Sequence, residues 1–429
     1  MASNTDLDTT CSKNGEMMTR QNIAIIGTGI SGLTCAHHLA PYHDLTLFEA
    51  EDYVGGHTHT VRVEKEGEIS DIDTGFIVFN DNTYPEFIKM MDSIGVNYQP
   101  TEMSFSVRND AIDLEYNGNT INSLFAQRKN ILRPKFLGMV RDIVRFNKEV
   151  HHAADDAELT IGAFLASRRY SDLFKDNYLL PMISAIWSMG LESCKDFPLQ
   201  FFVRFFDNHG LLKIVNRPQW RSIIGGSSSY IEPLTAPFKD SIRVRSPVIG
   251  VERSDDAVQI VTTSKAENFD QVIFACHANQ ALSLLSTPTT SEETILRPFR
   301  TSSNSVVLHT DTSLLPKRPL GWASWNYNMV DSAKEQTTLT YNMNILQRLS
   351  KKHTYLVTLN QEIAKEHVLR EFNYHHPIFS LEAIKAQAGW ESISGKNRSH
   401  YCGAYWFNGF HEDGVKSGLR VKNAIEEML

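Results

Sequence analysis

The residues whose order could do chemistry come early in the chain. Gly27-Thr28-Gly29-Ile30-Ser31-Gly32 follows directly on Asn22-Ile23-Ala24-Ile25-Ile26, an apolar, β-branched run that reads as a buried parallel strand. Each glycine of this GxGxxG order has a physical task. Gly27 permits a tight turn, Gly29 lets a pyrophosphate approach the backbone, and Gly32 lets helix and strand pack closely. The helix that starts here carries Leu33, Ala36, Leu39 and Ala40 at helical spacing. Its first turn offers free N–H groups and a positive dipole end to phosphates. A second strand, Leu45-Thr46-Leu47-Phe48, ends at Glu49, 17 residues past Gly32. A carboxylate there can accept both ribose hydroxyls of an adenosine and disfavours a 2′-phosphate. Strand, turn, helix, strand and acid in this order read as a dinucleotide site.

Further positions extend the site. Gly55-Gly56 follows the ribose acid, and two adjacent glycines allow close backbone approach. Asp73-Thr74-Gly75 forms a turn after a hairpin, Ser246-Pro247-Val248 precedes a β-ribbon over 242–274, and Tyr401-Cys402-Gly403-Ala404-Tyr405 reads as a strand end. Gly409 to Gly414 then leads into a helix read from Val415, with Ser417-Gly418 on one face. This assembly resembles the amine-oxidase-type flavoprotein superfamily, the group of monoamine oxidase, protoporphyrinogen oxidase and phytoene desaturase. The resemblance implies FAD, contacted by Gly27, Gly29, Ile30, Ser31, Gly32, Glu49, Ala50, Gly55, Gly56, His57, Thr74, Gly75, Val248 and Gly403. It also implies that the last helix points its N-terminus at the flavin pyrimidine, with Glu412, Asp413, Gly414 and Val415 in that contact. The superfamily usually has an arginine after the Gly-Gly pair; here His57 stands there. Cys402 reads as a buried strand cysteine, so FAD is expected to be non-covalent.

A narrower resemblance runs through nearly the whole chain from Ile23 onward. DTGFIVFN at 73–80, EMSFSV at 102–107, LLPMISAIW at 179–187, FVRFFDNHGLL at 202–212, GGSSSYIEPL at 225–234 and GFHEDGVKSGL at 409–419 are similar to predicted NAD/FAD-binding, amine-oxidase-like proteins of bacteria. Genes of that family commonly lie beside cyclopropane-fatty-acyl-synthase-like methyltransferases. The resemblance implies a fatty-acyl or acyl-phospholipid substrate, desaturase-like chemistry in some members, and a lipid methyltransferase as partner. Residues 121–150 carry seven Lys/Arg against two acids, interleaved with apolar side chains, and permit contact with an anionic membrane surface. A solvated surface helix explains the same pattern.

The elements that must position these residues follow from the rest of the chain. Its 429 residues, net charge of -8 and 41% hydrophobic content fit two intertwined globular domains and argue against nucleic acid as partner. Five scattered cysteines without a CxxC pair suggest neither disulfides nor zinc, which fits a reducing cytoplasm, with peripheral contact at the inner membrane face. Paired histidines such as His375-His376 lack a supporting ligand cluster, so no metal is expected. The expected class is α/β: a Rossmann-like, amine-oxidase-type FAD-binding domain with a mixed substrate domain of antiparallel sheet plus helices. The expected division is a disordered tail over 1–20, an FAD-binding domain over 21–80, 225–280 and 395–429, and a substrate-binding domain over 81–224 and 281–394. Short alternating runs between 300 and 360 read as antiparallel strands of a cavity floor. Asn80, Trp187, Trp220, Trp325, Tyr327 and Tyr341 are the expected substrate contacts, and His411, His209 and Tyr405 the candidates for a proton-accepting base. The expected chemistry is hydride transfer to flavin from an acyl chain. An amine oxidase, an acyl isomerase returning the hydride to another carbon, and a non-catalytic flavin-bound partner of a methyltransferase are the alternatives.

Overall fold

A computed structural model describes residues 10–11, 17–153, 156, 158–187, 189–213, 216–329 and 338–428. Most of the expected 1–20 tail lies outside the described residues; within it, Thr10–Cys11 pairs antiparallel with Met17–Met18. The Asn22–Ile26 strand is buried from its second residue onward and pairs in parallel with Asp44–Phe48 on one side and Gln271–Phe274 on the other. Ile242–Arg243 and Ser399–Tyr401 complete a five-stranded, all-parallel sheet at its two edges. Covered on both faces, its central strands use apolar residues without alternation, as a parallel sheet requires. A three-stranded antiparallel ribbon, Val248–Arg253, Val258–Thr262 and Ala266–Phe269, lies between two of its strands in the chain.

The Ile30–Leu39 helix packs against this sheet and against the helix His411–Met428. Side-chain volume is missing where the backbones meet. A Cβ on Gly32 would stand 2.2 Å from the Gly27 carbonyl oxygen, and one on Gly418 would stand 2.7 Å from the Ser31 carbonyl oxygen. Both distances are far inside van der Waals contact, so these glycines set how closely the layers approach.

The second large sheet has seven strands in the order Leu114–Asn117, Phe105–Asn109, Trp325–Asn328, Leu339–Asn342, Leu356–Leu359, Arg300–His309, Val368–Ile378. All neighbours are antiparallel except Phe105–Asn109 with Trp325–Asn328. The strands expected between 300 and 360 are present, with Trp325 opening one of them. Val368–Ile378 and the two strands near 105–117 join them from segments where no strand was expected. Helices Pro134–Ala153, Ile161–Ala166, Leu180–Trp187 and Leu199–Asn208 bury an aromatic cluster centred on Phe146, Phe164, Phe174 and Phe202. Among the described residues no helix is long and apolar enough to cross a membrane.

One buried ion pair ties the cofactor-side layers together. Both guanidinium nitrogens of Arg253 in the ribbon donate to Glu292, at 2.5 and 2.9 Å. Glu292 also accepts the Tyr401 hydroxyl of the last strand and the Thr289 backbone N–H. Burial alone would raise the Glu292 carboxyl, but Arg253 and these donors hold it down at about 2, below its usual 4.5. Its stabilising effect is therefore complete above about pH 4.5 and is lost as the pH falls towards 2. Glu292→Gln leaves a buried guanidinium uncompensated and should cost about 3 kcal/mol. Urea unfolding should show that loss at neutral pH and a shrinking gap from wild type as the pH falls below 4; equal stability at neutral pH would remove the pair from this role.

Candidate functional site

A cavity of about 960 Å³ runs from the glycine turn, past the last strand of the parallel sheet, into the aromatic side of the seven-stranded sheet. Gly27, Gly29, Ile30, Ser31, Glu49, Ala50, Gly56, His57, Thr74, Gly75, Val248 and Gly403 all line it, as expected of cofactor contacts. Gly29 is the N-cap of the Ile30–Leu39 helix and carries no side-chain cap, so the first-turn N–H groups stay available. Its φ of -66° suits any residue, and a Cβ there would meet nothing within 4 Å. The space beside Gly29 is thus an open cradle of the kind a pyrophosphate fills. Glu49 is held ready: one carboxylate oxygen accepts the Thr28 N–H at 3.0 Å and its hydroxyl at 2.5 Å, while the other accepts the Glu51 N–H. These residues fit FAD.

Gly32 and Gly55 act behind the lining. Gly32 serves the helix–strand contact described above. Gly55, with φ of 128°, forms an isolated parallel bridge with Gly29 and so props the cradle. Gly75 lines the cavity but is also demanded by packing, since a Cβ there would stand 2.1 Å from the His57 carbonyl oxygen.

The last helix corrects the expected pyrimidine contacts. It begins at His411, not Val415, because the Asp413 carboxylate accepts the Phe410 N–H at 3.0 Å and caps it earlier. Glu412 turns away and accepts the Glu86 and Phe87 N–H groups, so it caps the helix Pro85–Ser93. Gly414 packs on Ile30, and Val415 is buried in the core. None of Glu412, Asp413, Gly414 and Val415 lines the cavity. Burial pushes the Asp413 carboxyl up to about 6 and raises that of Glu412. The strand before this helix is also shorter than expected: it ends at Tyr401, and Tyr405 lies in a 3-10 turn, Ala404–Trp406.

The three candidate bases all line the cavity but differ in chemistry. Burial pushes the Tyr405 phenol well up, so it stays protonated at neutral pH. His411 stacks on Phe76 at 3.7 Å between ring centroids, and its Nε2 is 2.8 Å from the Tyr230 hydroxyl, which also meets Thr58. Burial, then His57, lowers the His411 pKa well below its usual value. His209 is freer. Its Nδ1 lies 2.9 Å from the Phe205 carbonyl and must carry the proton, which leaves the Nε2 lone pair without a partner among the described residues. Burial pushes its pKa down to about 4, so the imidazole is neutral.

Trp187, Trp220, Trp325 and Tyr341 line the far end of the cavity. Asn80 and Tyr327 do not. Asn80 accepts the Asn82 and Thr83 N–H groups and shapes the turn before Pro85. Tyr327 is buried among the helices, with its hydroxyl 3.4 Å from that of Ser184. Sequence reasoning missed the other wall. Tyr374 donates or accepts at 2.7 Å with both His59 and Thr74, and His57 meets Tyr374 and His376 edge to face, each at 5.2 Å between centroids. The His57 ring is enclosed by protein yet open to the cavity; burial, then His376, His277 and His59, pushes its pKa down to about 3. It does not replace the charge of an arginine. Asp73 was also passed over: buried and raised to about 7, it accepts the Thr60 hydroxyl and the Ser227 N–H, which fastens the 225–230 loop to the hairpin. Among the described residues no group of His, Cys, Asp or Glu could hold a metal. Cys402 is buried beside Cys35, away from the lining; Cys276 is the cysteine that faces the cavity.

With this geometry in place, likeness to other proteins becomes informative. Residues 30–373 match the family of flavin containing amine oxidoreductases. Amine oxidase [flavin-containing] A of Canis lupus familiaris is 24% identical over 263 residues, 56% of this chain. That stretch is 46% of the canine protein, so the chain spans about half the length of this relative. Among solved structures, cyclohexylamine oxidase from Brevibacterium oxydans superposes with a TM-score of 0.67 at 15% identity, covering 95% of this chain and 99% of the other. A fatty acid isomerase from P. acnes superposes with a TM-score of 0.66 at 16% identity, covering 95% and 99%.

The two kinds of glycine in the turn separate fold from binding. Gly29→Val should melt within a few degrees of the wild-type apoprotein yet purify without flavin, because its side chain enters the cradle and touches no protein atom. Gly32→Val should instead accumulate misfolded. Visible spectra and thermal melts of both variants check this; a yellow Gly29→Val protein would rule out the cradle.

Proposed function

This chain belongs to the flavin containing amine oxidoreductase family, and on that premise we propose that it is an FAD-dependent oxidoreductase that dehydrogenates an unsaturated or methyl-branched fatty-acyl chain. FAD is the cofactor of the family it joins. The observation that supports an acyl substrate is the far end of the cavity. Phe105, Met182, Ile186, Trp187, Phe205 and Trp325 line it, and the carboxylates of the whole lining, Glu49 and Glu51, lie at the dinucleotide end. An ammonium group there would find no counter-ion, whereas a chain of methylenes gains about 0.8 kcal/mol for each one buried. Arg217 is an exposed lining residue without a carboxylate partner among the described residues, and suits the anionic head of such a chain.

Bound FAD supplies a two-electron acceptor for a hydride from a substrate carbon. The neighbouring carbon then loses a proton, and the C=C bond forms between them. His209 takes that proton on Nε2, which is free, cavity-facing and held in the correct tautomer by the Phe205 carbonyl. Trp220 and Phe410 wall His209 in and keep water from the reacting carbons. The fatty acid isomerase of similar fold shows that this architecture admits acyl chains. An isomerase differs in outcome, since the hydride returns and no net reduction remains.

The acyl reading is tested without oxygen. Methyl-branched or unsaturated acyl substrates should bleach the flavin bands, and primary amines should leave them unchanged. Bleaching by amines alone would overturn it, and product formation without bleaching would favour the isomerase. The role of His209 is tested separately. Because its folded pKa lies near 4, the basic form persists through neutral pH and is lost only as the pH falls to about 4. His209→Asn should lower kcat about 100-fold with flavin content unchanged and should abolish the acid limb near pH 4; an unaltered pH profile would assign the proton to another group.

A further inference from the structure

The face built by residues 110–148 and 317–321 is unusual for a chain with a net charge of -8. More than half of the exposed large hydrophobic side chains among the described residues lie on it, led by Leu132 at 85% and Ile121 at 80% exposure. Ile112, Ile131, Leu137 and Leu320 join them. Short, tied elements hold the set. Arg133 donates to the Asp113 carbonyl at 2.7 Å, which fixes the 128–132 turn to the tip bearing Ile112. Arg128 donates to the Asn122 side chain at 2.7 Å, which fixes the same turn to the helix starting at Ile121. On the helix Pro134–Ala153, exposed Leu137, Arg141, Val144 and Lys148 recur at spacings of four, three and four, one stripe facing outward.

The charges on this face are one-sided. Its acids are already matched: Asp113 by Lys129 and Arg133, Asp110 by Arg108 and Lys317, and Glu115 by Arg318. Arg128, Lys135, Arg141 and Lys148 have no carboxylate partner among the described residues. Apolar side chains standing out from a field of free cations fit a surface that is negative outside and apolar just beneath. The cavity reaches the same face. Its lining includes the exposed Gly118, which lies three residues before Ile121 and is followed by the Thr120 cap of that helix.

We propose that this face docks on an anionic phospholipid bilayer, with Leu132, Ile121 and Leu137 inserted among the headgroups, and that the cavity draws its substrate from that bilayer past Gly118. The docking stands on the face alone; only the passage of an acyl chain rests on the acyl-dehydrogenase reading. The test therefore reads binding, not turnover. The full-length, FAD-loaded protein is sedimented with vesicles of phosphatidylcholine, or of equal parts phosphatidylcholine and phosphatidylglycerol. It should pellet with the second kind only, and release as salt rises. Lys135→Glu and Arg141→Glu should each weaken binding at least about fivefold, and Leu132→Asp at least about tenfold. All three positions are exposed, so thermal melts should match wild type. No binding to the anionic vesicles at low salt, equal binding to both kinds, or variants that bind as wild type would overturn the proposal. So would self-association through this face in place of vesicle binding, read by sedimentation of wild type against Leu132→Asp.

Discussion

The floor of the cavity depends on backbones that touch. The Gly27 carbonyl, the Gly32 position of the following helix and the Ser31 carbonyl beneath Gly418 stack so closely that no Cβ fits between them. This contact sets the height of the Ile30–Leu39 helix above the parallel sheet, and with it the place of the helix N-terminus. Glu49, held by Thr28 from inside the same turn, is placed by the same contact. A shift of a few tenths of an ångström here would move phosphate donors and ribose acceptor together, because they share one rigid turn. Everything farther along the cavity is measured from that floor.

The electrostatics of the cavity follow from its dryness. His57, His209, His277, His376 and His411 all have pKa values pushed below the ordinary 6.5, with burial the first cause in each. The site is therefore rich in imidazole yet poor in positive charge. Neutral imidazole accepts or relays protons, which suits removal of a proton from carbon better than it suits anchoring an anion. The polar work of fastening the walls falls instead to neutral groups and to Asp73, whose carboxyl is raised to about 7.

The cradle was legible in the sequence because its chemistry is local. Glycines, strand and ribose acid lie within 28 residues, from Asn22 to Glu49, and the task of each glycine depends on the missing side chain. The Trp187, Trp220, Trp325 and Tyr341 contacts were found because large aromatics near apolar runs end up inside. What failed to show was whatever depends on a distant partner. Glu412 looked like a flavin contact and proved to cap a helix 325 residues away in sequence. Asn80 looked like a substrate ligand and proved to shape its own turn. Tyr374 and His376 went unnoticed because Val368–Ile378 alternates between half-buried and exposed residues and contains Pro377, so nothing in it announces a strand. It becomes one by pairing along the length of Arg300–His309, and that pairing turns Tyr374 towards His59 and Thr74.

The contact between the first and last helices sets a timetable for synthesis. Cys35 and Gly418, joined by a thiol-to-carbonyl contact of 3.3 Å, are 383 residues apart. At about 5–20 residues per second a ribosome makes the cradle roughly 20 to 80 s before its cover. During that interval the Ile30–Leu39 helix shows an apolar, small-residue face with nothing to lie against. The nascent chain must shelter that face, through a chaperone or through provisional contacts, until the C-terminal helix arrives.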